Sequence, residues 1–189
     1  MNLPQPVIDL DDLTLRTFDA ERDLPEFQRV VQESLEHLRP WMPWAAEHSP
    51  DTTRDFLADR AERWASGEAY SYAIVLDGAI VGSCGLVRHE DTPSDCIEIG
   101  YWLHPAATGR GVVTRAARAL VDEAFRLPGV DHVEIAHDPA NRASGAVPAR
   151  LGFTEQPRRP ADSGELRIWR LSRADTAGSG SAGGPRTGR

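Results

Sequence analysis

The stretch Cys96-Ile-Glu-Ile-Gly-Tyr-Trp-Leu-His-Pro-Ala-Ala-Thr-Gly-Arg-Gly-Val-Val-Thr114 decides the fold of this chain. Residues 96–103 have the apolar character of a strand, and residues 109–126 place their apolar side chains at helical spacing. Between these two elements, Gly109 and Gly111 let the backbone approach a ligand without a Cβ in the way. The free N–H groups and the positive dipole at the start of a helix bind anions. The stretch therefore predicts a phosphate-binding loop, although a tight turn without a ligand would explain the glycines equally well.

The elements on either side of this stretch are predicted from periodicity and turn residues. The predicted strands are at 13–18, 70–76, 79–87, 130–137, 153–156 and 165–171. The predicted helices are at 23–38, 49–66 and 144–151. Asp23 is the predicted N-cap of the first helix. The order β-α-α-β-β-β-α-β-α-β-β predicts an α/β fold with helices packed on the faces of a sheet. Residues 1–12 are expected to be a flexible lead-in. The Gly/Ser-rich residues 174–189 are expected to be a disordered tail.

Composition restricts the partners and the location of the protein. The net charge is −8, and all 21 basic residues are arginine, so general nucleic-acid binding is disfavoured. No run approaches the roughly 20 apolar residues of a membrane span, and the N-terminus does not resemble a secretory signal. Cys84 and Cys96 fit no zinc spacing and are expected to be buried and reduced. These features predict a cytoplasmic protein without a metal site and without nucleic acid or membrane as a partner.

Several spaced motifs give the chain a strong resemblance to the GNAT superfamily of N-acetyltransferases. They lie in the order that the superfamily requires, at 98–105, 109–111, 141–144 and 147–153. Within the superfamily, the chain is similar to the Rim-type ribosomal-protein N-terminal acetyltransferases, and residues 41–44 add to that similarity. The resemblance covers residues 13–171. It implies a mixed, mostly antiparallel seven-stranded sheet, with helices on both faces and a splay between the fourth and fifth strands.

The resemblance also implies acetyl-CoA as the cosubstrate, an amine as the acceptor and, as in many relatives, a homodimer. The cofactor-binding residues that it implies are Trp102, Leu103 and His104 for the pantetheine arm, Gly109, Arg110, Gly111, Val112, Val113 and Thr114 for the pyrophosphate, and Asn141 and Ser144 beside the thioester. Two positions depart from the usual family pattern. Thr108 stands where Gln, Arg or Trp is common, and Val113 stands where Gly or Ala is common.

Three residues are the catalytic candidates. Ser144 matches the position thought to protonate the departing thiolate in Rim-type enzymes, and its hydroxyl is also well placed to cap the short helix. The acidic residue that some Rim-type enzymes carry after the fourth strand is absent here. Glu98 and His137 are therefore the candidates for the general base. Their structural alternatives are a carboxylate satisfied by its neighbours and a histidine at a loop end.

The acceptor is expected to be a primary amine. Trp41, Met42 and Trp44 are expected to line its site, with a core or dimer-surface position as the alternative. An α-amino group has a pKa of about 7.7–8.0, against about 10.4 for lysine, so it needs less help from a base. This favours the α-amino group of a protein or peptide. The alternatives are a small-molecule amine, such as a polyamine, an antibiotic or an amino acid, and a non-catalytic CoA-binding sensor.

Overall fold

A computed structural model describes residues 3–89, 92–161 and 164–178. Within these ranges, one sheet contains eight strands, which are β1 Val7–Leu10, β2 Leu13–Thr17, β3 Ala69–Leu76, β4 Ala79–Val87, β5 Cys96–Leu103, β6 His132–His137, β7 Thr154–Ala161 and β8 Gly164–Ser172. Their order is β1-β2-β3-β4-β5-β6-β8-β7. Every neighbouring pair is antiparallel except β5 and β6, which are parallel. The expected α/β fold with a mixed, mostly antiparallel sheet is confirmed.

Helices cover both faces of the sheet, as expected. They are α1 Ala20–Leu38, α2 Pro43–Ala46, α3 Pro50–Ala58, α4 Arg60–Ser66, α5 Val112–Arg126, α6 Arg142–Arg150 and α7 Arg173–Gly178. Side chains of α1, α2 and α3 form one apolar cluster with β3 and β4. Side chains of α5 and α6 belong to the larger cluster on the other face. Within the described ranges, no helix combines the length and the apolar character needed to cross a bilayer.

The strand count and the termini correct the expectations drawn from sequence. Residues 7–10 are not a flexible lead-in, because β1 pairs with β2 through a turn in which Asp11 has a φ of 64°. The Tyr72 hydroxyl donates to the Gln5 carbonyl at 2.8 Å, and the Gln5 N–H donates to Glu123 at 2.9 Å. These contacts with distant segments order the edge strand, so the sheet has eight strands instead of seven. Residues 174–178 belong to α7, and the rest of the expected tail lies outside the described residues.

Two helix boundaries also differ from the prediction. Asp19 caps α1 by accepting from the Arg22 N–H, so Asp23 lies inside the first turn and is not the N-cap. The predicted helix at 49–66 is divided at Asp59 into α3 and α4. Local patterns predicted that these helices exist. They could not decide whether Asp19 or Asp23 caps α1, because that depends on which carboxylate is buried.

The splay lies between β5 and β6, which are the fourth and fifth strands of the expected count. These strands pair only at Cys96–Glu98 with His132–Glu134, although β5 continues to Leu103 and β6 to His137. Beyond Glu98 the two facing backbone edges are not hydrogen-bonded to each other. Because backbone N–H and C=O groups need partners, such edges suit a ligand that carries amides. The splay is therefore confirmed, and it opens towards the start of α5.

Candidate active site

The loop between β5 and α5 requires glycine at two positions. Gly109 and Gly111 have φ values of 74° and 72°, which L side chains rarely adopt, and a Cβ at either position would meet no atom within 4 Å. Gly111 is the N-cap of α5 and provides no side-chain bond to the helix. The first-turn N–H groups therefore remain available to an anion. Empty space beside a strained backbone fits a pyrophosphate.

The residues predicted to follow this loop form the first turn of α5. Val112 is almost fully buried in the core, so only its backbone can reach a ligand, while Val113 and Thr114 are partly buried. Arg110 lies in the loop, and its Nη2 is 3.7 Å from Oδ2 of Asp77, a residue of the β3–β4 turn. Arg115 is paired with Asp12 at 2.5 Å. The loop thus presents backbone donors and a loosely paired guanidinium.

Polar side chains determine the conformation of the chain that leads into the loop. His104 Nδ1 accepts from the Ala106 N–H at 3.2 Å, which leaves the proton on Nε2, 3.3 Å from Glu33. Thr108 Oγ1 donates to the Pro105 carbonyl at 2.8 Å. His104 and Thr108 therefore close a short 3-10 turn at Pro105–Ala107 and connect it to α1.

The short helix α6 places Asn141 and Ser144 beside the splay. Asn141 is the N-cap, and its Oδ1 accepts from the Ser144 N–H at 3.1 Å. The alternative that Ser144 caps this helix is therefore wrong. The Ser144 hydroxyl lies 3.2 Å from the hydroxyl of Tyr101, a residue of the splayed part of β5. Burial raises the pKa of Tyr101 to about 12, and the contact with Ser144 acts in the opposite direction.

His137 is buried on the same face of the sheet, and both of its ring nitrogens are hydrogen-bonded. Trp169 Nε1, which can only donate, lies 3.1 Å from Nε2, so the ring proton is on Nδ1 and points at the Asp138 carbonyl at 2.7 Å. The ring also lies against Gly145, where an added Cβ would be 2.8 Å from it. This geometry gives His137 a positioning function for α6 and leaves neither nitrogen free to accept a proton.

Glu98 lies on the opposite face of the sheet, where the splay begins. One carboxylate oxygen is 3.5 Å from His89 Nε2, and the other is 3.8 Å from Arg159 Nη1. Its parallel neighbour Glu134 is almost fully buried and binds Arg159 and Arg170 at 2.6 Å each. Glu134 is therefore held by two arginines, whereas the ion pairs of Glu98 with the described residues are no closer than 3.5 Å. Glu98 is thus the less tightly held of the two carboxylates.

Aromatic side chains cover this same face beyond Glu98. Trp44 is 41% exposed, and its ring centroid lies 5.9 Å from that of Trp102 and 6.3 Å from that of His48. Trp41 and Met42 are partly buried, and Met42 packs against the apolar cluster of α1, α2 and α3. The backbone of Trp102 runs along the splay, as expected for a cofactor-binding residue. Its side chain, however, points to the α1 face.

Sequence reasoning missed Tyr101 and the orientation of the Trp102 side chain. Alternation along β5 could have revealed both, because Glu98 and Trp102 must share one face while Tyr101 faces α6. The site therefore has two sides. A hydroxyl pair and the glycine loop lie on one side of the splay, and a carboxylate and the exposed Trp44 ring lie on the other.

Comparison with known proteins agrees with this geometry. A family model described as an acetyltransferase (GNAT) domain matches residues 12–154. A relative in Bacillus subtilis (strain 168), YdaF, is 28% identical to this chain over 148 residues, which are 77% of this chain and 80% of YdaF. YdaF is described, by inference, as a ribosomal N-acetyltransferase.

Two solved structures show the same fold. RimL, a ribosomal alpha-N-protein acetyltransferase in complex with coenzyme A, has a TM-score of 0.81 at 21% identity, covering 89% of this chain and 99% of RimL. The microcin self-immunity acetyltransferase MccE, in complex with acetyl-CoA and AMP, has a TM-score of 0.78 at 21% identity, covering 86% of this chain and 93% of MccE.

Proposed function

This chain belongs to the GNAT acetyltransferase family and uses acetyl-CoA as its cosubstrate, and from that premise we propose that its acceptor is the α-amino group of a protein or peptide. The observation that carries the proposal is the two-sided splay between β5 and β6. Its cofactor side presents the Ser144 hydroxyl, and its other side presents Glu98 with the aromatic surface around Trp44.

The residues of the cofactor side suit coenzyme A. The unpaired edge from Ile99 to Leu103 offers backbone partners to the two amides of a pantetheine arm. Gly109, Gly111 and the start of α5 offer N–H donors to a pyrophosphate. When bound, acetyl-CoA supplies the thioester carbonyl that an amine attacks and the sulfur that leaves with the electron pair.

The chain's own groups handle the protons. Glu98, directly or through one water, takes the proton that the amine loses. The Ser144 hydroxyl gives its proton to the leaving sulfur and recovers one from solvent, and Glu98 releases its proton to solvent, so the transfer from a neutral amine is proton-neutral. The base and the acid lie on opposite faces of the sheet, which suits an amine and a leaving group on opposite sides of one carbonyl. His137 is the other base candidate from sequence, and its hydrogen bonds to Trp169 and Asp138 make Glu98 the better choice.

An α-amino acceptor matches the strength of this base. With a pKa of about 7.7–8.0, such an amine is partly neutral near pH 7, whereas lysine at about 10.4 is almost fully protonated. The Glu98 carboxylate is only loosely held by His89 and Arg159, so it can accept the single proton that a neutral amine loses. The exposed indole of Trp44 can pack against the first side chains of a peptide. The designation of YdaF as a ribosomal N-acetyltransferase supports the same acceptor class.

We place the protein in the cytoplasm, where a reducing environment keeps the buried cysteines Cys84 and Cys96 as free thiols. A homodimer stays a prediction. The edge strand β7 contains Pro157 and Pro160, which cannot donate ladder hydrogen bonds, so this edge is a poor surface for pairing two sheets. Sedimentation velocity across a concentration series measures the oligomeric state.

Thiol release from acetyl-CoA tests the acceptor. The panel contains peptides with a free N-terminus, N-blocked peptides carrying lysine, polyamines and aminoglycosides, and calorimetric CoA binding is measured alongside. We expect fast turnover only with free N-termini. Turnover confined to polyamines or aminoglycosides would replace the proposal with the small-molecule alternative, and tight CoA binding without turnover would favour the sensor.

Glu98→Gln tests the base. We expect kcat with a peptide acceptor to fall about 100-fold while CoA affinity stays unchanged. Glu155→Gln is the matched control, because Glu155 is an exposed carboxylate of β7 whose partner, Arg167 at 2.8 Å, belongs to neither side of the proposed site. An unchanged kcat in Glu98→Gln would remove Glu98 from the mechanism.

A further inference from the structure

We propose that Tyr101 is a positioning residue for the transfer step, whose hydroxyl orients and polarises the Ser144 hydroxyl and is itself held by a carbonyl that Pro148 leaves free. The inference rests on the proposed function only in its use of Ser144 as the proton donor to sulfur. It does not depend on which amine is the acceptor.

The contact joins the two elements that border the splay. Tyr101 lies on the part of β5 that has separated from β6, and Ser144 lies on α6, which follows β6. The Tyr101 hydroxyl is 3.2 Å from Ser144 Oγ and 3.1 Å from the Ser144 carbonyl oxygen. A single phenol therefore contacts both the side chain and the backbone of the proposed proton donor.

Pro148 explains why the carbonyl is available. In an α-helix, the carbonyl of one residue accepts from the N–H four positions later. The residue four positions after Ser144 is Pro148, which lies inside α6 and has no N–H. A partly buried carbonyl without a backbone donor is costly, so a hydroxyl that donates to it is favoured. This hydrogen bond anchors the phenol at α6.

The phenol has one proton and two acceptors within reach. When Tyr101 donates to the carbonyl, the Ser144 proton can point back at the phenol oxygen. When Tyr101 donates to Ser144 Oγ, the Ser144 proton is released towards the splay. A hydrogen bond donated to an oxygen that is losing its proton stabilises the developing charge, so the second arrangement makes Ser144 a better donor. Because burial raises the pKa of Tyr101, the phenol keeps its proton throughout the neutral pH range.

Tyr101→Phe tests this function by removing the hydroxyl and keeping the ring. We expect kcat to fall about 10-fold while the affinity for acetyl-CoA changes less than about twofold. In the Ser144→Ala background, the same substitution should cause no further loss of kcat, because residues that act as a unit are not additive. Losses that multiply in the double variant would overturn the proposal. Tyr72→Phe is the matched control, since it removes a buried hydroxyl that donates to the Gln5 carbonyl, and its kcat should equal that of wild type.

Pro148→Ala separates catalysis from packing. Tyr101→Phe alone should lower the melting temperature by about 2–4 °C, because it leaves the Ser144 carbonyl without a donor. With Pro148→Ala, a backbone N–H at position 148 can serve that carbonyl, so this loss should shrink while the fall in kcat persists. If the kcat defect disappears together with the stability defect, Tyr101 is only structural and the proposal is wrong.

The assay distinguishes this inference from the proposed acceptor. Thiol release is measured with whichever amine supports the fastest turnover, or with water as the default nucleophile. Failure of the peptide panel would therefore overturn the α-amine proposal and leave the Tyr101 comparison intact. If a peptide acceptor is active but the losses of kcat in the double variant multiply, the Tyr101 proposal is overturned and the α-amine proposal stands.

Discussion

Asp23 shows how much one residue can organise in this fold. Its carboxylate is almost fully buried and accepts from Arg16 on β2 at 2.6 and 2.9 Å, from Arg22 at 2.9 Å and from the Asp19 N–H at 2.9 Å. Burial by itself would raise the pKa of Asp23, but the hydrogen bonds from Arg16 and Arg22 outweigh burial and hold the pKa well below its usual range. One side chain therefore connects the start of α1 to the sheet.

Asp23→Asn should destabilise the protein by about 3 kcal/mol at pH 7, because it removes one partner of a buried ion pair. The folded-state pKa lies below the unfolded value of about 3.9, so the stabilisation is complete above that value and declines as pH falls through the folded pKa. The difference between wild type and variant should therefore shrink on going from pH 7 to pH 3. Urea unfolding at both values measures it.

Asp55→Asn, an exposed position on α3, is the control and should change stability by less than about 0.5 kcal/mol. A difference between Asp23→Asn and wild type that stays constant between pH 7 and pH 3 would contradict the linkage argument.

Among the elements, α5 carries the most functional information. Its hydrophobic face is buried through Val112, Ala116 and Leu120, while its N-terminus remains open to the splay. Gly111 closes that end and Gly129 follows the other end, with φ values of 72° and 73° and free space at both Cβ positions. The two glycines are equivalent in backbone strain and differ only in their place relative to the site.

Gly111→Ala and Gly129→Ala should each lose about 1–2 kcal/mol of stability, because alanine is strained in the left-handed region. Only Gly111→Ala should also weaken CoA binding, by about 10-fold, because its methyl group projects into the space where a pyrophosphate approaches the backbone. Calorimetric titration with CoA measures this difference. Equal affinities in the two variants would mean that the cofactor's phosphates do not use this loop.

At the scale of the whole molecule, the contacts that stabilise one edge of the sheet lie far from the strands that border the splay. The edge strand β1 is tied to the interior through Gln5, whose carbonyl accepts from Tyr72 and whose N–H donates to Glu123. Three strands, β2, β3 and β4, lie between β1 and the splayed strand β5. The residues that complete one edge of the core are therefore remote in the sheet from those that line the splay.

Removing residues 1–11 should lower the melting temperature by about 4–8 °C, because it exposes the edge of β2 and leaves Tyr72 and Glu123 without their backbone partners. CoA affinity should stay within about twofold of wild type. Gln5→Ala keeps both backbone bonds and should melt as wild type does. Differential scanning calorimetry with and without CoA measures these changes, and a truncated chain that melts like wild type would show that β1 contributes nothing.

The fold class and the glycine-rich turn before α5 were predictable from sequence because both depend on local properties. Alternation and helical spacing mark β5 and α5, and the glycines at 109 and 111 mark a backbone that no other residue adopts easily. The predicted helix at 144–151 corresponds to α6, but its start was placed too late, because Asn141 and not Ser144 caps it. The resemblance to a known superfamily added two predictions to these local features, a reaction and a splayed sheet. The pairing of β5 with β6 confirmed the splay.

Tertiary structure alone decided which polar groups meet across long sequence separations. Tyr101 and Ser144 are 43 residues apart, and Tyr72 and Gln5 are 67 apart, so no local pattern records either contact. The same holds for β1, for the burial of Asp23 and for the different surroundings of Glu98 and Glu134. Periodicity tells which face a side chain takes, but burial and hydrogen-bond partners depend on what the rest of the chain places opposite that face. The sequence therefore determined the scaffold and the cosubstrate of this protein, and the folded chain decided which hydroxyls and carboxylates border the splay.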